Sequence, residues 1–394
     1  MKKFWASALI AGSLFFMPVA NAEIKTYEGT EEYLMSEFET IDIAKQRAKQ
    51  KAERVAQEQA GVYISSYSET KDFELVKDEV ISIACGILSV IDVKYDVKPL
   101  DNANGFLIRA TVKANINTDD VNKFLNKSAQ EKSAIVMQNK ELQAAIAEQD
   151  ATIEKLKAQI ETLKSEGKLS GKLEREKISQ EVAAEDKIFQ ANLKLEEAQK
   201  NFYNRNYEAA IKLSDEAIEL NPNSARAYGG RGGAYGVLNQ PQKTIADCTK
   251  AIELDQNYAM AYNNRGTAYG KLGDYQQALM DFNKAIELDP TLALAYNNRG
   301  STLLFLGNGA QAFADLNKAI ELNPKLDLAY ANLGMYYLSA QNFSVAVANF
   351  DKAIKLNPKL AAAYHFRAMS YQATGQFSKA QADFAKAREL GYQG

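Results

Sequence analysis

The chain has 394 residues, of which 46% are hydrophobic, and its 47 lysines and arginines stand against 50 aspartates and glutamates. The formal net charge of −3 argues against nucleic acid or an anionic membrane as the main partner, because both reward a concentrated basic surface. One histidine and two cysteines argue against a zinc or copper site.

Residues 1–22 have the layout of a secretory signal sequence. Two lysines precede an apolar run from Phe4 to Val19, and the small residues Ala20-Asn21-Ala22 follow it. This arrangement predicts cleavage before Glu23 and export of the mature chain to a periplasm. The alternative is a retained membrane anchor, which the short run argues against because a spanning helix needs about 20 apolar residues.

Residues 23–120 are predicted to form a small α+β domain. An alanine-rich amphipathic helix is predicted over 40–61, and residues 62–70 alternate as in a strand. Residues 80–99 begin apolar and continue as an alternating strand, which a turn joins to another strand at 105–117. Helices beside a mostly antiparallel sheet define this class of domain.

The order of these elements resembles a small domain of bacterial envelope proteins. The segments that carry the resemblance are AKQRAKQKAERVAQEQAGVYISS, GILSVIDVKYDV and GFLIRATVKANI, in that order. The same order is found at the N-terminus of the flagellar T/H-ring assembly protein family and in LPP20-type lipoproteins. The resemblance is limited to this domain and contains no catalytic signature. It implies a binding role in the envelope and does not establish a flagellar one.

A heptad pattern follows over residues 128–166. One core position holds Ile135, Leu142, Gln149, Leu156 and Leu163, and the other holds Asn139, Ile146, Ile153 and Ile160. This composition favours a parallel coiled coil, so residues 128–190 are predicted to form a stalk that makes a dimer or trimer. Two alternatives keep the helix within one chain. It packs alone on the chain's own domains, or it forms an antiparallel hairpin across Gly167 and Gly171 with a second helical stretch at 173–200.

The second half of the chain repeats with a period of 34 residues. Within each period the spacing of small and apolar residues predicts two helices, which a break such as Leu272-Gly273-Asp274 separates. The recurring residues are Tyr228, Tyr262, Tyr296, Tyr330 and Tyr364, then Gly232, Gly266, Gly300 and Gly334, and Ala217, Ala251, Ala285, Ala319, Ala353 and Ala387.

These recurring residues resemble the tetratricopeptide repeat (TPR) family. The resemblance implies a solenoid of stacked helix pairs whose concave surface is lined mainly by the first helix of each pair. The predicted fold class is therefore mostly α, an α-α superhelix of six repeats preceded by a coiled-coil stalk and a small α+β domain. The six units are 191–224, 225–258, 259–292, 293–326, 327–360 and 361–394.

No residue pattern predicts catalysis. Cys248 stands where other units have phenylalanine and is interpreted as buried filler, and Cys85 falls in a separate domain, so both thiols are expected to be isolated. We therefore expect no enzyme activity, no catalytic residue, no cofactor and no bound metal. The acids that recur at the repeat period are interpreted as structural or solvated, and they are Asp247, Asp281, Asp315 and Asp383.

The predicted peptide-binding site lies on the first helices of the repeats. Asparagine amides can both donate to and accept from a peptide backbone, and methionine or phenylalanine between them can take apolar side chains. The alternative is that asparagine only tolerates a wet helix surface. The candidate residues are Asn263, Asn264, Thr267, Lys271, Asn297, Asn298, Ser301, Phe305, Asn332, Met335, His365 and Met369.

The segment AYGGRGGAYG at 227–236 is the first helix of the second unit. Gly229, Gly230 and Gly233 stand where the next unit has two asparagines and a threonine. Each glycine inside a helix costs about 1 kcal/mol relative to alanine. Gly229 and Gly233 therefore join the candidate site, with two interpretations open: a partner's backbone packs on the bare strip, or the array bends there.

Taken together, the sequence predicts a non-enzymatic exported scaffold or adaptor. Its partner is predicted to be a protein or peptide in the concave surface, with no nucleic acid and no membrane segment after signal cleavage. Oligomerisation is predicted to go through the coiled coil. The alternative is a structural component of a flagellar or surface ring complex that acts through its N-terminal domain. An enzyme is a third possibility, which no motif supports.

Overall fold

The computed structural model describes residues 23–69, 75, 77–100, 105–125, 127, 129–167, 169 and 171–392, so the predicted signal sequence lies outside the described residues. The described chain begins with a small α+β domain. Its elements are, in order, β1 (Ile24–Leu34), α1 (Ile41–Glu69), α2 (Lys77–Ile87), β2 (Ser89–Pro99), β3 (Phe106–Asn117) and α3 (Thr118–Leu125). The strands form an antiparallel sheet in the order β1-β3-β2, and α1 packs on β1 and β3.

Helix α1 is longer than the sequence predicts. The expected strand at 62–70 is wrong, because α1 continues past Gly61 to Glu69. The physical reason is burial at helical spacing: Ala56 and Ala60 are fully buried against the sheet, and Ile64 continues the same four-residue spacing. The residues after Gly61 that alternate as in a strand are therefore part of α1, and their buried side chains follow helical spacing.

The other strand predictions are confirmed in part. β3 occupies nearly the predicted residues, but the apolar start of 80–99 is α2, and β2 begins only at Ser89. β1 has no counterpart in the prediction, since only Gly29 and Tyr33 of that strand are buried. The core of the domain comes from the inward side chains of β3, which are Ile108, Ala110, Val112, Ala114 and Ile116.

Two long helices follow and form an antiparallel hairpin. Gln199 donates a hydrogen bond to the carbonyl of Ile135 (3.3 Å) at one end. Gln149 donates to the carbonyl of Glu185 (3.0 Å) near the middle. The two helices are α4 (Ala129–Ser165) and α5 (Lys172–Tyr203).

The heptad side chains of α4 are buried within the chain itself. Leu142 and Ile146 pack with Leu195 of α5, and Ile160 packs with Ile178. The structure thus has the hairpin that the sequence left as an alternative, and it does not confirm the coiled-coil stalk. The physical reason is that α5 carries an apolar stripe of its own that covers the same face, made of Ile178, Val182, Phe189 and Leu195.

The hairpin also packs on the N-terminal domain. Arg47 of α1 is 3% exposed, and its Nη2 donates to Oδ1 of Asp186 on α5 at 3.0 Å. Nη1 of Arg54 donates to Oδ2 of Asp150 on α4 at 2.9 Å. Helix α2 contacts both arms of the hairpin. These ion pairs and contacts fix the domain against the hairpin.

Helix pairs occupy the rest of the chain, and the end of α5 serves as the first helix of the first pair. No helix in the described residues combines the length and the apolar character needed to cross a bilayer. The remaining helices are α6 (Tyr207–Leu220), α7 (Ala225–Val237), α8 (Pro241–Leu254), α9 (Ala259–Lys271), α10 (Tyr275–Leu288), α11 (Ala293–Phe305), α12 (Gly309–Leu322), α13 (Asp327–Ser339), α14 (Phe343–Leu356), α15 (Ala361–Ala373) and α16 (Phe377–Glu389).

An arginine on the first helix joins three helices in most units. In the fourth unit Arg299 donates through Nε and Nη2 to both carboxylate oxygens of Asp315, each at 2.7 Å. Its Nη1 donates to Oδ1 of Asn283 in the preceding unit at 2.7 Å, and the guanidinium lies 5.6 Å from the centre of the Tyr296 ring. The recurring aspartates are therefore structural, as predicted. The equivalent pairs are Arg231–Asp247, Arg265–Asp281 and Arg367–Asp383.

Candidate functional site on the inner face of the repeats

The first helices of the repeats lie side by side on one surface. Helices α7, α9, α11, α13 and α15 contact one another in sequence, whereas consecutive second helices contact each other much less in the described residues. We call the surface formed by these five first helices the inner face. Side chains of neighbouring units meet on it, so it is where a repeated residue can act across several units.

Five asparagine amides form a hydrogen-bonded chain on the inner face, the asparagine ladder. Asn332 donates to Asn297 (Nδ2–Oδ1 2.9 Å), and Asn297 donates to Asn298 (3.1 Å). Asn298 donates to Asn263 (3.0 Å), and Asn263 donates to Asn264 (3.3 Å). Asn263 and Asn297 are almost fully buried, and the other three are half-buried. The ladder therefore links three units and holds each amide in a fixed orientation.

The polar neighbours of the ladder are bonded within the repeats as well. Oγ1 of Thr267 donates to the carbonyl of Asn263 at 2.9 Å and accepts from Nδ2 of Asn298 at 3.3 Å. Nζ of Lys271 donates to the carbonyl of Gly236 in the preceding unit at 3.0 Å. The polar residues that the sequence selects for ligand binding thus also join one unit to the next.

The apolar members of the predicted site differ in exposure. Phe305, at the end of α11, is 71% exposed, and its ring centre lies 4.6 Å from that of Tyr275. Met369 on α15 is 41% exposed. Met335 is half-buried in the apolar cluster around Phe350. The structure therefore presents Phe305 and Met369 to solvent and uses Met335 partly for packing.

His365 belongs to an aromatic cluster at the C-terminal end of the repeats. Its ring stacks on Tyr392 with 4.3 Å between ring centres, and Phe366 and Phe384 each lie 5.3 Å away. Partial burial lowers the pKa of His365 below its usual value. His365 therefore packs within the aromatic cluster of the last unit and is separate from the asparagine ladder.

Helix α4 of the same chain lies against part of the inner face. It contacts α7 and α13, and Met137 packs on the apolar cluster that contains Tyr258, Met260 and Leu294. Met260 and Leu294 are almost fully buried in this cluster. Sequence reasoning missed this contact because Met137 is outside the heptad core positions, and a single off-pattern methionine does not indicate what it touches.

The glycines of α7 make room for these neighbours. A Cβ on Gly229 would lie 2.6 Å from Cε1 of Tyr258, whose side chain is buried. Gly230 lines a small cavity together with Leu142 of α4. Gly233 is half-buried on the same helix, which runs without interruption. The bare strip near Gly229 is therefore occupied by the chain's own side chains.

Two alanine substitutions on α7 are expected to distinguish the steric effect of an added Cβ from its effect on helix propensity. Gly230→Ala is expected to stabilise the protein by up to about 1 kcal/mol, because no atom of a neighbouring element lies within 4 Å of the added Cβ. Gly229→Ala is expected to destabilise it, because Tyr258 must leave its buried position. Hydrogen exchange in α7 and α8 of the two variants beside the parent chain measures the difference. Equal effects of the two substitutions would contradict the assigned role of Tyr258.

The thiols do not form a reactive site. Both cysteines are free, and burial raises the pKa of Cys85 and of Cys248 to about 12. Both are therefore protonated at neutral pH, whereas a nucleophilic cysteine needs a lowered pKa. In the part of the chain that the structure describes, no group of three or more His, Cys, Asp or Glu side chains is arranged to hold a metal ion.

Comparison with known proteins identifies the repeats. Tetratricopeptide repeat family models match residues 195–259, 259–292, 282–313, 328–360 and 361–390. These parts of the chain are therefore tetratricopeptide repeats. No curated protein matches the sequence. The matches lie in the repeats, and the resemblance of residues 23–120 to a flagellar or LPP20-type domain stays a prediction.

Several solved structures are similar to part of this chain. A crystal structure of MamA is 27% identical, with a TM-score of 0.35, over 40% of this chain and 93% of that one. YrrB, described as a TPR protein with an unusual peptide-binding site, is 25% identical, with a TM-score of 0.35, over 45% and 92%. Pseudomonas aeruginosa PilF is 17% identical, with a TM-score of 0.45, over 52% and 93%.

Proposed function

We propose that this protein is a non-enzymatic, exported scaffold whose inner face binds a segment of a protein partner. The observation that carries the proposal is Phe305, which is 71% exposed although the ring of Tyr275 holds it in place. A large apolar side chain that is already ordered gains free energy when a partner covers it and loses little conformational entropy.

The ends of the asparagine ladder support the same surface. At one end, the residue that would bond to Asn264 from the preceding unit is Gly229, which has no side-chain amide. At the other end, the residue that would bond to Asn332 is Ala331, which also has none. In the described residues, Nδ2 of Asn264 and Oδ1 of Asn332 thus have no ladder partner. One is a donor and the other an acceptor, which are the two groups that a peptide backbone can satisfy.

Helix α4 limits where the partner binds. Because α4 contacts α7 and α13 and its Met137 packs on the apolar cluster of the repeats, the partner is expected on the part of the inner face that ends in Phe305 and Met369. That part combines an ordered aromatic ring, an adaptable methionine and the free acceptor of Asn332. It suits an extended segment with one or two large apolar side chains.

Site-specific photo-crosslinking in cells tests this proposal. A photoreactive amino acid in place of Phe305 is expected to capture a discrete partner in the exported fraction. The matched control replaces Met280, which is 62% exposed on α10, a second helix outside the inner face. A partner captured equally from both positions, or from neither, would contradict binding at the inner face.

Export is the second part of the proposal, and it is supported by the layout of residues 1–22. N-terminal sequencing of the mature chain is expected to begin at Glu23. A mature chain that retains Met1 in the cytoplasmic fraction would contradict export and would leave the binding proposal to be judged by the crosslinking result.

A further inference from the structure

Strand β2 is an edge of the sheet, and half of its backbone polar groups point away from β3. The strand order is β1-β3-β2, so β2 has a paired neighbour on one side. In an antiparallel strand the N–H and C=O groups of alternate residues point to opposite sides, and those on the outer side are available to another strand. The side chains along β2 are largely exposed, including Ile91 at 57% and Tyr95 at 38%.

Charges alternate across the outward surface of this sheet and end on β2. Glu28 on β1 forms an ion pair with Lys113 on β3 (3.4 Å). On the other side of Lys113, Asp92 of β2 lies directly opposite it. A second row repeats this order with an ion pair between Glu32 and Arg109, and Asp96 lies opposite Arg109. In each row, β1 carries an acid, β3 carries a base and β2 carries an acid. A base in the next strand would continue each row.

The charges along β2 itself are self-complementary in an antiparallel arrangement. The outward residues run Asp92, Lys94, Asp96, Lys98. If a second β2 runs in the opposite direction with Tyr95 opposite Tyr95, each Asp92 faces Lys98 and each Lys94 faces Asp96. On the other surface, Val93 faces Val97. Both rows of the sheet then gain a base in the next strand.

The two neighbouring registers and the other edge lack this property. Shifting the second strand by two residues places Lys94 opposite Lys94 and Asp92 opposite Asp96, or Asp96 opposite Asp96 and Lys94 opposite Lys98, and like charges directly opposite are destabilising. On β1, antiparallel self-pairing centred on Thr30 would place Glu28 opposite Glu32. The register centred on Tyr95 is therefore the one that places all four outward charges of each β2 opposite charges of the other sign.

We propose that β2 pairs with β2 of a second copy of this chain, antiparallel and centred on Tyr95. Two three-stranded sheets then form one continuous sheet across a two-fold axis, which is the symmetry of most homodimers. The contact uses β2 and none of the helices that form the inner face. This route to a dimer leaves the buried heptad residues of α4 where the structure has them.

Charge reversal on the full chain tests the pairing. Lys94→Asp/Lys98→Asp makes all four outward charges of β2 acidic, so this variant is expected to weaken the dimer at least a hundredfold in sedimentation equilibrium. Asp92→Lys/Asp96→Lys is expected to do the same, and mixing the two variants is expected to restore a dimer. The matched control, Lys250→Asp/Lys284→Asp, makes the same charge change on exposed lysines of α8 and α10 and is expected to leave the dimer unchanged.

A disulfide at the two-fold axis tests the register and depends on a single substitution. Tyr95→Cys places two thiols in directly opposite positions, where Cα atoms are about 4.5–5.5 Å apart, within the range of a disulfide. Ile91→Cys places its two thiols eight residues apart along the strands, about 27 Å. Oxidation is expected to link the Tyr95→Cys chains and not the Ile91→Cys chains. A monomeric parent chain, a dimer insensitive to charge reversal, or equal linkage of both cysteine variants would overturn the proposal.

Discussion

Replacing Arg299 by leucine is expected to destabilise the repeats by about 2 kcal/mol, and adding Asp315→Asn is expected to recover most of that loss. The single substitution leaves Asp315 buried without its bidentate partner, and an uncompensated buried charge is costly. The double substitution removes the charge, so only hydrogen bonds and the contact with Tyr296 are lost. The side chain of Arg299 is 22% exposed, which lowers the expected effect below that of a fully buried pair.

The fifth unit of the same chain contains this neutral arrangement. Leu333 and Asn349 stand where the second, third, fourth and sixth units have the arginine and the aspartate. Leu333 is 7% exposed, and Nδ2 of Asn349 donates to the carbonyl of Val345 at 2.9 Å. Both members are replaced together, as expected if either one alone is unfavourable.

A double-mutant cycle in the full chain measures this coupling. The chain has several structural parts and does not qualify for a single two-state transition, so hydrogen exchange in α11 and α12 is the suitable readout. The four chains are the parent, Arg299→Leu, Asp315→Asn and the double variant. A double variant as unstable as Arg299→Leu alone would show that the cost comes from lost packing and not from the unpaired aspartate.

Gly29→Ala is expected to destabilise the N-terminal domain by about 3 kcal/mol, since overpacking of a filled site forces the backbone to move. β1 crosses α1 so closely at this residue that an added Cβ would lie 2.0 Å from the carbonyl oxygen of Ala52 and 2.8 Å from the amide nitrogen of Ala56. Both are backbone atoms of a buried helix, so no side-chain rotation relieves the overlap.

Thr30→Ala is the matched control for Gly29→Ala. Thr30 is the next residue of β1, faces the outward surface of the sheet and contacts Thr111 through an exposed hydrogen bond of 3.0 Å. Its replacement is expected to cost less than about 1 kcal/mol. Hydrogen exchange in α1 measures both variants. Equal protection of α1 in the two variants would contradict the close contact between β1 and α1.

The sequence predicted which helices carry the candidate residues, and it did not predict the hydrogen bonds that these residues make. The period of 34 places Asn263, Asn297 and their neighbours on the first helices, where the structure has them. Whether an amide faces a ligand or another amide depends on the distance between units, which the sequence does not state. The ladder therefore became visible only in the structure, as did the packing of Met137 on the apolar cluster of the repeats.

The sequence by itself determined the repeats. Each unit packs mainly on its neighbours, so the residues that must fit together recur at one period and can be recognised without the rest of the chain. The same period led to the interpretation of Asp315 and its equivalents as structural or solvated acids, and the structure pairs them with arginines.

Only the tertiary structure decided how α1, α4 and α7 are used. An apolar stripe such as that of α4 is favourable against any apolar surface, because burial of apolar area is not directional. The heptad pattern therefore could not distinguish a second chain from α5, and the alternation after Gly61 could not distinguish a strand from the continuing helix. The partners that cover these stripes come from distant parts of the sequence, and their identity follows from the packing of the whole chain.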